Sequence, residues 1–380
     1  MKLTYTFAIL ALIIGFSSCG NQQKETMASE EKQEVRDSVI FSFSFMGCNR
    51  VDRGDVQDSV PSTANKYVLE RILAEMAQQE NKPELFFFLG DLVLAESTTE
   101  KLNHQLEAWV SLYDSTSFHN SGIELVAVPG NHEMLYAREV FDKNGKNGKW
   151  KEFPLAGSTD IWLNYMKEHM PKDRDTVAST DTLDNRLTFS FIRHNVGFVV
   201  MNTDSYNPPN KKNPYGLEGM IPTDWIIQKI DEYKANPNID HVFVLGHKPY
   251  YVDGKPNTGH HGIPEGPILW PAMESAGVVA MLSAHLHDYQ RLQPINDSLG
   301  GGTYQVIAGN GGSSGTAPFF GYSTISIMSS GAAVLHSVGF CKGDPYTTPV
   351  PENATTTRDS TQLTWAQNPD VFNQPYTGCD

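Results

Sequence analysis

Several things are scarce in this chain, and each scarcity excludes something. The apolar run at residues 7–16 holds ten residues, where a comfortable bilayer span needs about 20. Basic residues are short: 29 Lys and Arg stand against 44 Asp and Glu, for a formal charge of -15. Such a surface repels phosphate backbones and anionic lipid, so nucleic acid is not expected as a stable partner. No Gly-x-Gly-x-x-Gly or Walker loop is evident, which argues against a kinase or a nucleotide-driven motor. No internal repeat is evident either. Cysteine is rare, with four residues in all, Cys19, Cys48, Cys341 and Cys379. The rest is ordinary for a globular protein: 39% hydrophobic and 19% charged residues over 380 positions, enough for one large domain or two modest ones.

The first residues read as an address. Lys2 gives a positive start, the apolar run follows, and Gly15-Phe16-Ser17-Ser18-Cys19 closes it. This order resembles a bacterial lipoprotein signal, in which the cysteine is acylated and becomes the new N-terminus. The resemblance implies a signal peptide at 1–18, a lipid on Cys19, and an exported protein anchored to a bacterial membrane, facing the periplasm or at the cell surface. A secretory signal with a chance cysteine is the other reading. Residues 19–38, polar and rich in Gln, Glu and Lys, are expected as a flexible tether. In an oxidising compartment Cys341 and Cys379 form a disulfide or stay as two thiols, and Cys48 is left over.

Further along, Phe41, Phe43 and Phe45 alternate with Ser42 and Ser44 over 39–46, the period of a strand. Residues 63–79 carry Val68, Leu69, Ile72, Leu73 and Met76 at helical spacing, and 102–113 carry Leu102, Leu106, Trp109, Val110 and Tyr113 likewise. Short apolar runs at 85–89, 123–128, 241–245 and 278–283 predict buried strands. Paired strands are expected at 187–192 and 197–202, a helix over 222–235, and returning strands at 303–307, 324–328 and 332–338. Residues 150–184 are less regular and are expected to pack as helices and loops. The fold class is therefore α/β, a mixed pair of packed sheets flanked by helices. It is expected to occupy 39–340, with 341–380 as a C-terminal tail rich in Pro, Thr and Asn.

Polar sequences follow four of the buried strands at the same place. They are Gly90-Asp91, Pro129-Gly130-Asn131-His132-Glu133, Gly246-His247-Lys248-Pro249 and Ala284-His285-Leu286-His287. Strand ends in α/β folds are where loops converge on ligands. The side chains on offer are one carboxylate, one amide oxygen and three imidazoles, all hard or borderline metal ligands. His285 and His287 are two apart, and on an extended segment that spacing sends both to one side, within reach of two neighbouring ions. Taken singly, Asp91 reads as a cap, Asn131 as a turn residue and each histidine as a satisfied core residue. Their order at four strand ends makes a metal site the better reading.

Gly90-Asp91, Gly130-Asn131-His132-Glu133, Gly246-His247 and His285-Leu286-His287 resemble, in that order, the signature of the calcineurin-like metallophosphoesterases. His287-Asp288-Tyr289-Gln290-Arg291 looks most like the purple acid phosphatase branch. The resemblance covers roughly residues 39–335. It implies a four-layer αββα sandwich and two divalent or trivalent metal ions, with iron, zinc or manganese the natural choices. By the same resemblance Asp91 bridges the ions, Asn131, His247 and His285 complete the second ion's shell, and His287 binds the first. His132 is the expected proton donor to the leaving oxygen, with Asp204 or Glu133 as candidate partners for it, or else holds an outer structural role.

Three positions depart from the family pattern. Its first motif, Asp-x-His, reads Cys48-Asn49-Arg50 here when Gly47 is aligned with the family's preceding glycine. A metal-bound thiolate at Cys48 is the expectation, as in the related PhoD-like branch. The other reading is a buried thiol, with Asn49 or Asp52 taking over or a weak first site. Arg50 cannot bind metal, so it either clamps a phosphate oxygen or is structural. Leu94 stands where purple acid phosphatases carry a tyrosine ligand, so charge-transfer colour on ferric iron is not expected. Ala284 for glycine is mild.

The function this implies is phosphate-ester hydrolysis by a dinuclear centre that activates a water as nucleophile. A phosphomonoesterase leads, and a phosphodiesterase or nucleotidase with the same site follows. A lipid-anchored binding protein without catalysis is the reading from another class, supported by the altered first motif. Substrate choice is expected in the insertions at 142–171 and 207–220. His260 and His261 either touch substrate or sit in a surface loop. Tyr250, Tyr251 and Tyr289 either stack on substrate or pack in the core.

Overall fold

Alternation in the strand Val39–Met46 sets the centre of the molecule. Phe43 is fully buried, with its ring edge-on to Phe198 at 5.0 Å and to Phe243 at 5.1 Å. Those two rings come from a different sheet, so this face of the strand forms the layer where two sheets meet. Each such edge-to-face pair contributes about 0.5–1.5 kcal/mol beyond its buried area. On the other face Ser44 hydrogen-bonds Thr324 of the neighbouring strand at 2.7 Å. The strand Leu85–Leu89 is buried on both sides for the same reason. Phe87 meets Phe198 between the sheets, while Phe86 and Phe88 meet Phe118 and Trp109 on the helical side.

The computed structural model describes residues 37–380 apart from 96–97, 142–143, 147, 181–182, 316, 318, 343–348, 352–353, 368–378 and 380. The expected signal peptide, Cys19 and nearly all of the expected tether lie outside the described residues. The first sheet runs, in order, Thr356–Gln362, Ala333–Phe340, Phe320–Met328, Val39–Met46, Leu85–Leu89 and Glu124–Val128, the last three parallel. The second runs Tyr289–Leu292, Tyr304–Ala308, Ala280–Ser283, His241–Gly246, Val196–Met201, Phe189–Arg193 and Asp175–Thr176. Four of its strands, from Tyr304–Ala308 to Val196–Met201, are parallel.

Helices Lys66–Gln78 and Thr99–Asp114 bury Leu69, Ile72, Leu102 and Trp109 on the first sheet's side. Helices Thr223–Ala235 and Gly266–Ala276 bury Ile226, Ile230, Leu269 and Met273 against Val199, Val242 and Val244 of the second. The result is the expected sandwich of two mixed sheets between helices. Among the described residues, no helix is long and apolar enough to cross a membrane.

Three elements differ from the sequence expectation. Leu135–Val140 and Lys149–Pro154 pair as an antiparallel ribbon, so the start of the stretch expected as helices and loops is extended. Half of the second strand is exposed, and with its charged residues it has no apolar face to announce it. Ser158–Met166 is the helix that follows. Gly266–Ala276 was not anticipated as a helix because Pro267 and Pro271 interrupt it in sequence. Pro267 sits in the first turn, where a missing N–H costs nothing, and buried Leu269, Trp270 and Met273 hold the helix past Pro271. Finally, Thr356–Gln362, within the expected tail, adds an edge strand to the first sheet, and Cys341 is disulfide-bonded to Cys379 beyond it.

Candidate metal centre

Five parallel strands end on one side of the sandwich, and each delivers a side chain there. Val39–Met46 leads to Cys48, Leu85–Leu89 to Asp91, Glu124–Val128 to Asn131 and His132, His241–Gly246 to His247, and Ala280–Ser283 to His285. The chain must turn at once to aim them. Cys48, Asp91 and His285 all adopt left-handed backbone, with φ of 59°, 58° and 63°. Each such residue costs roughly 1–3 kcal/mol unless its surroundings hold it there. Backbone hydrogen bonds hold these: Cys48 N–H to Gly90 O at 2.9 Å, Asn49 N–H to Asp91 O at 3.0 Å, and Ala284 N–H to His247 O at 2.9 Å. Gly90 is where close approach forbids a side chain. A Cβ there would stand 2.5 Å from His247 Nδ1 and 2.6 Å from Gly130 N.

Four ligand atoms converge beneath these turns. His247 Nε2 is 3.2 Å from Asp91 Oδ1, 3.0 Å from Asn131 Oδ1 and 3.3 Å from His285 Nδ1, which is itself 3.0 Å from Asn131 Oδ1. Their outer atoms are all engaged. His247 Nδ1 donates to Leu89 O at 2.7 Å, so its Nε2 carries a bare lone pair. Asn131 Nδ2 donates to Glu152 at 3.0 Å, which fixes the amide oxygen inward. His285 Nε2 lies 3.0 Å from His261 Nδ1, so a proton on Nε2 leaves Nδ1 bare. With both imidazoles neutral, the cluster is acceptors facing acceptors. That arrangement repels itself unless a cation sits at its centre, and spacings near 3 Å suit ligands bonded at about 2.0–2.2 Å to one ion. This donor set fits a metal ion.

A second group lies beside it and is built differently. Cys48 is fully buried, with Sγ 4.0 Å from Asp91 Oδ2. Burial pushes its thiol well up, and the Asp91 charge adds to that. His287 donates from Nδ1 to Ser314 O, which turns Nε2 toward the same carboxylate. Arg50 enters between them: its Nη2 is 3.4 Å from His287 Nε2 and its Nε 4.0 Å from Asp91 Oδ2. A fixed cation already stands among these acceptors, so the group does not fit an added metal ion as the first one does. Asp52 is engaged elsewhere, and Asn49 is held through its amide nitrogen while its Oδ1 is buried without a hydrogen-bond partner. Asn49 Nδ2 donates to Asn65 O and Gly311 O, and Asp52 pairs with Arg50 at 2.5 Å.

Several expectations are corrected by these contacts. The His285-Leu286-His287 segment is not extended. Leu286 N–H bonds Ala284 O and Asp288 N–H bonds Leu286 O, both at 2.7 Å, so two tight turns rather than strand alternation aim the histidines. His132 pairs with neither Asp204 nor Glu133. Its Nδ1 donates to Leu94 O at 2.9 Å, leaving Nε2 in the wall of a cavity of about 60 Å³ with Arg53, Leu135 and Glu152. Asp204 is taken by buried Lys248 at 2.6 Å. The tyrosines, by contrast, follow the core reading: Tyr289 is buried and bonded to Asp359 at 2.7 Å, and Tyr250 packs on Trp270.

The loop with His260 and His261 does reach the centre. His261 touches His285, and His260 Nδ1 lies 3.3 Å from Glu218 with Nε2 3.9 Å from Glu152. The hydrogen bond to Glu218 raises the His260 pKa against burial. Glu152 and Glu218 are residues that sequence reasoning passed over. Each stands in an unremarkable charged stretch with no motif, and only the ribbon and the loop bring them in.

Burial alone would raise the Asp91 carboxyl, but His247, His132 and Arg50 hold it well below the usual carboxylate range. Burial pushes Glu133 up to about 8, with the Asp91 charge adding and three N–H donors opposing. Those donors are Asp91 N at 3.1 Å, Val93 N at 3.0 Å and Gly130 N at 2.7 Å.

The calcineurin-like phosphoesterase family matches residues 54–289, more than half of the chain. The chain belongs to that family. The match starts after Cys48 and Arg50. Among solved structures, purple acid phosphatase PPD1 from yellow lupin (Lupinus luteus) is similar at 14% identity and a TM-score of 0.51, over 90% of this chain. This chain spans 57% of the lupin protein's length. PhoD is similar at 12% identity and the same TM-score, over 87% of this chain and 73% of PhoD. At such identities the likeness is one of fold. No curated protein matches the chain.

Glu133 ties the two ligand loops together, which sets a test. In Glu133→Gln one carboxylate oxygen becomes an amide nitrogen facing a backbone N–H. Chemical denaturation is expected to show a loss of about 1–3 kcal/mol. Calorimetric titration with Mn²⁺ or Zn²⁺ should show metal affinity falling about 10–100-fold, as for other supports of metal ligands. Unchanged stability and affinity would mean Glu133 supports nothing.

Proposed function

We propose that this family member is a metal-dependent phosphomonoesterase. The observation that carries the reading is the convergence of Asp91, Asn131, His247 and His285 ligand atoms at the ends of four strands. A bound ion, for which iron, zinc or manganese suits these ligands, supplies Lewis-acid polarisation of the phosphoryl group and lowers the pKa of water. Asp91, Asn131, His247 and His285 hold it. Arg50 adds a fixed positive charge beside Asp91, which favours the dianion of a monoester over the single charge of a diester. His132, anchored through Nδ1 to Leu94 O, would give the leaving oxygen a proton from Nε2 when its ring is doubly protonated. His260 and His261 line the approach.

The decisive assay compares p-nitrophenyl phosphate with bis(p-nitrophenyl) phosphate, before and after chelation and with metal restored. Hydrolysis of the monoester is expected to be the faster, to vanish with the metal and to return with it. Faster diester turnover would replace this reading with a phosphodiesterase. Metal bound without hydrolysis of either ester would leave a binding protein. In His132→Ala, turnover on an alkyl phosphate should drop by about 100-fold or more while metal content stays the same. Undiminished turnover on that poor leaving group removes His132 from the proton-donor role.

The order of Lys2, the apolar run and Ser17-Ser18-Cys19 supports export and a lipid on Cys19. Full-length protein made in a bacterial host should partition into detergent, and Cys19→Ser should move it to the aqueous phase. Equal partitioning of the two would remove the anchor.

A further inference from the structure

The two halves of the centre differ in one physical respect. Around His247 all the converging atoms are acceptors. Around His287 the acceptors already face donors, and those donors come from Arg50. The guanidinium is well fixed. Its Nη1 pairs with Asp52, whose other oxygen accepts from Ser314 Oγ, and Ser314 O accepts from His287 Nδ1. His287 Nε2 then faces Arg50 Nη2 at 3.4 Å, closing a ring of four residues. The backbone is pinned as well, with Arg50 N–H on Asp91 O at 3.1 Å and Arg50 O accepting from Ser313 Oγ at 2.7 Å. The side chain is 12% exposed. This is not a surface arginine resting against an open site.

Resting on the phosphoesterase reading, we infer that Arg50 takes the place of the first metal ion, so that the centre holds one ion and one guanidinium. A guanidinium keeps its proton at any working pH, so it neutralises Asp91 Oδ2 permanently and repels a cation brought beside it. Its donors satisfy His287 Nε2, which therefore has no need of a metal. With no first ion beside it, Cys48, whose Sγ lies 4.0 Å from Asp91 Oδ2, serves no metal as a ligand. For the reaction, Arg50 can meet charge on a phosphoryl oxygen through planar N–H donors. It cannot acidify a water as a metal does, so that task falls to the single ion.

Metal counting tests this directly. Chelator-treated protein is loaded with excess Mn²⁺, desalted, and analysed for Mn per chain and by electron paramagnetic resonance. The expected result for the wild type is one ion per chain with the spectrum of an isolated ion. Arg50→His, which restores an imidazole and removes the cation, should raise the content to two ions with an exchange-coupled spectrum, and Arg50→Ala should move in the same direction. The Co²⁺-loaded wild type should lack thiolate-to-metal charge-transfer absorption. Two coupled ions in the wild type, or a Co²⁺–thiolate band, would overturn the inference and leave the phosphoesterase reading standing. One ion in both variants, properly folded, would overturn the role given to Arg50. No ion in the wild type would overturn both readings.

Discussion

The site depends on a close approach between two loops, and one buried carboxylate makes that approach. Glu133 takes hydrogen bonds from Asp91 N, Val93 N and Gly130 N, so it joins the loop after Leu85–Leu89 to the one after Glu124–Val128. It sits third in the short helix Asn131–Met134 and reaches back to the first N–H, one half of a capping box. Burying a carboxylate is costly, and three N–H donors aimed at it offset that cost. Gly90 and Gly130 complete the device, because a side chain on Gly90 would strike the other loop and His247. With the loops in contact, Asp91 and Asn131 both present an oxygen to His247, and Asn131 also reaches His285.

Much of this was legible in the sequence, for identifiable reasons. Strands such as Val39–Met46 and Leu85–Leu89 announce themselves because apolar period and length agree, and the observed ends match the expected ones. The site residues were legible because four short polar motifs follow four such strands, and the ends of those strands meet where the two packed sheets come together. What sequence could not supply was anything whose partner is distant and unmarked. Glu152 orients Asn131 from a ribbon whose charged strand has no apolar face, and Glu218 reaches His260 from a loop. The edge strand Thr356–Gln362 is threonine-rich and half solvated, so neither hydrophobic pattern nor turn chemistry marked it.

The histidine pair shows how a correct placement can follow from a wrong premise. A two-residue spacing on a strand would have put His285 and His287 on one face. The chain instead leaves its strand at Ser283 and makes two tight turns, with His285 left-handed. The rings still reach adjacent positions, His285 toward Asn131 and His247, His287 toward Arg50. The turns also explain why outer contacts matter so much here. An imidazole on a strand is oriented by its neighbours in the pleat. On a turn it needs a partner of its own, and His261 and Ser314 are those partners.

The altered first motif then follows from geometry rather than from decay of the site. Arg50 starts from a position whose backbone is held by Asp91 O and paired with Ala64. A long side chain from there can place its charge near the carboxylate while its stem stays outside the ligand cage, which a histidine cannot do. Asp52 and the Ser314 hydroxyl fix the plane and charge of the guanidinium. Cys48 is likewise suited to this neighbour. A carboxylate at that position would face Asp91 across about 4 Å of buried space and raise its pKa, whereas a thiol adds no charge. The three residues that differ from a two-metal pattern, or serve only its replacement, are therefore mutually consistent. A centre losing its function would be expected to lose such agreement first, because nothing would hold Asp52, Cys48 and Arg50 to one another's chemistry.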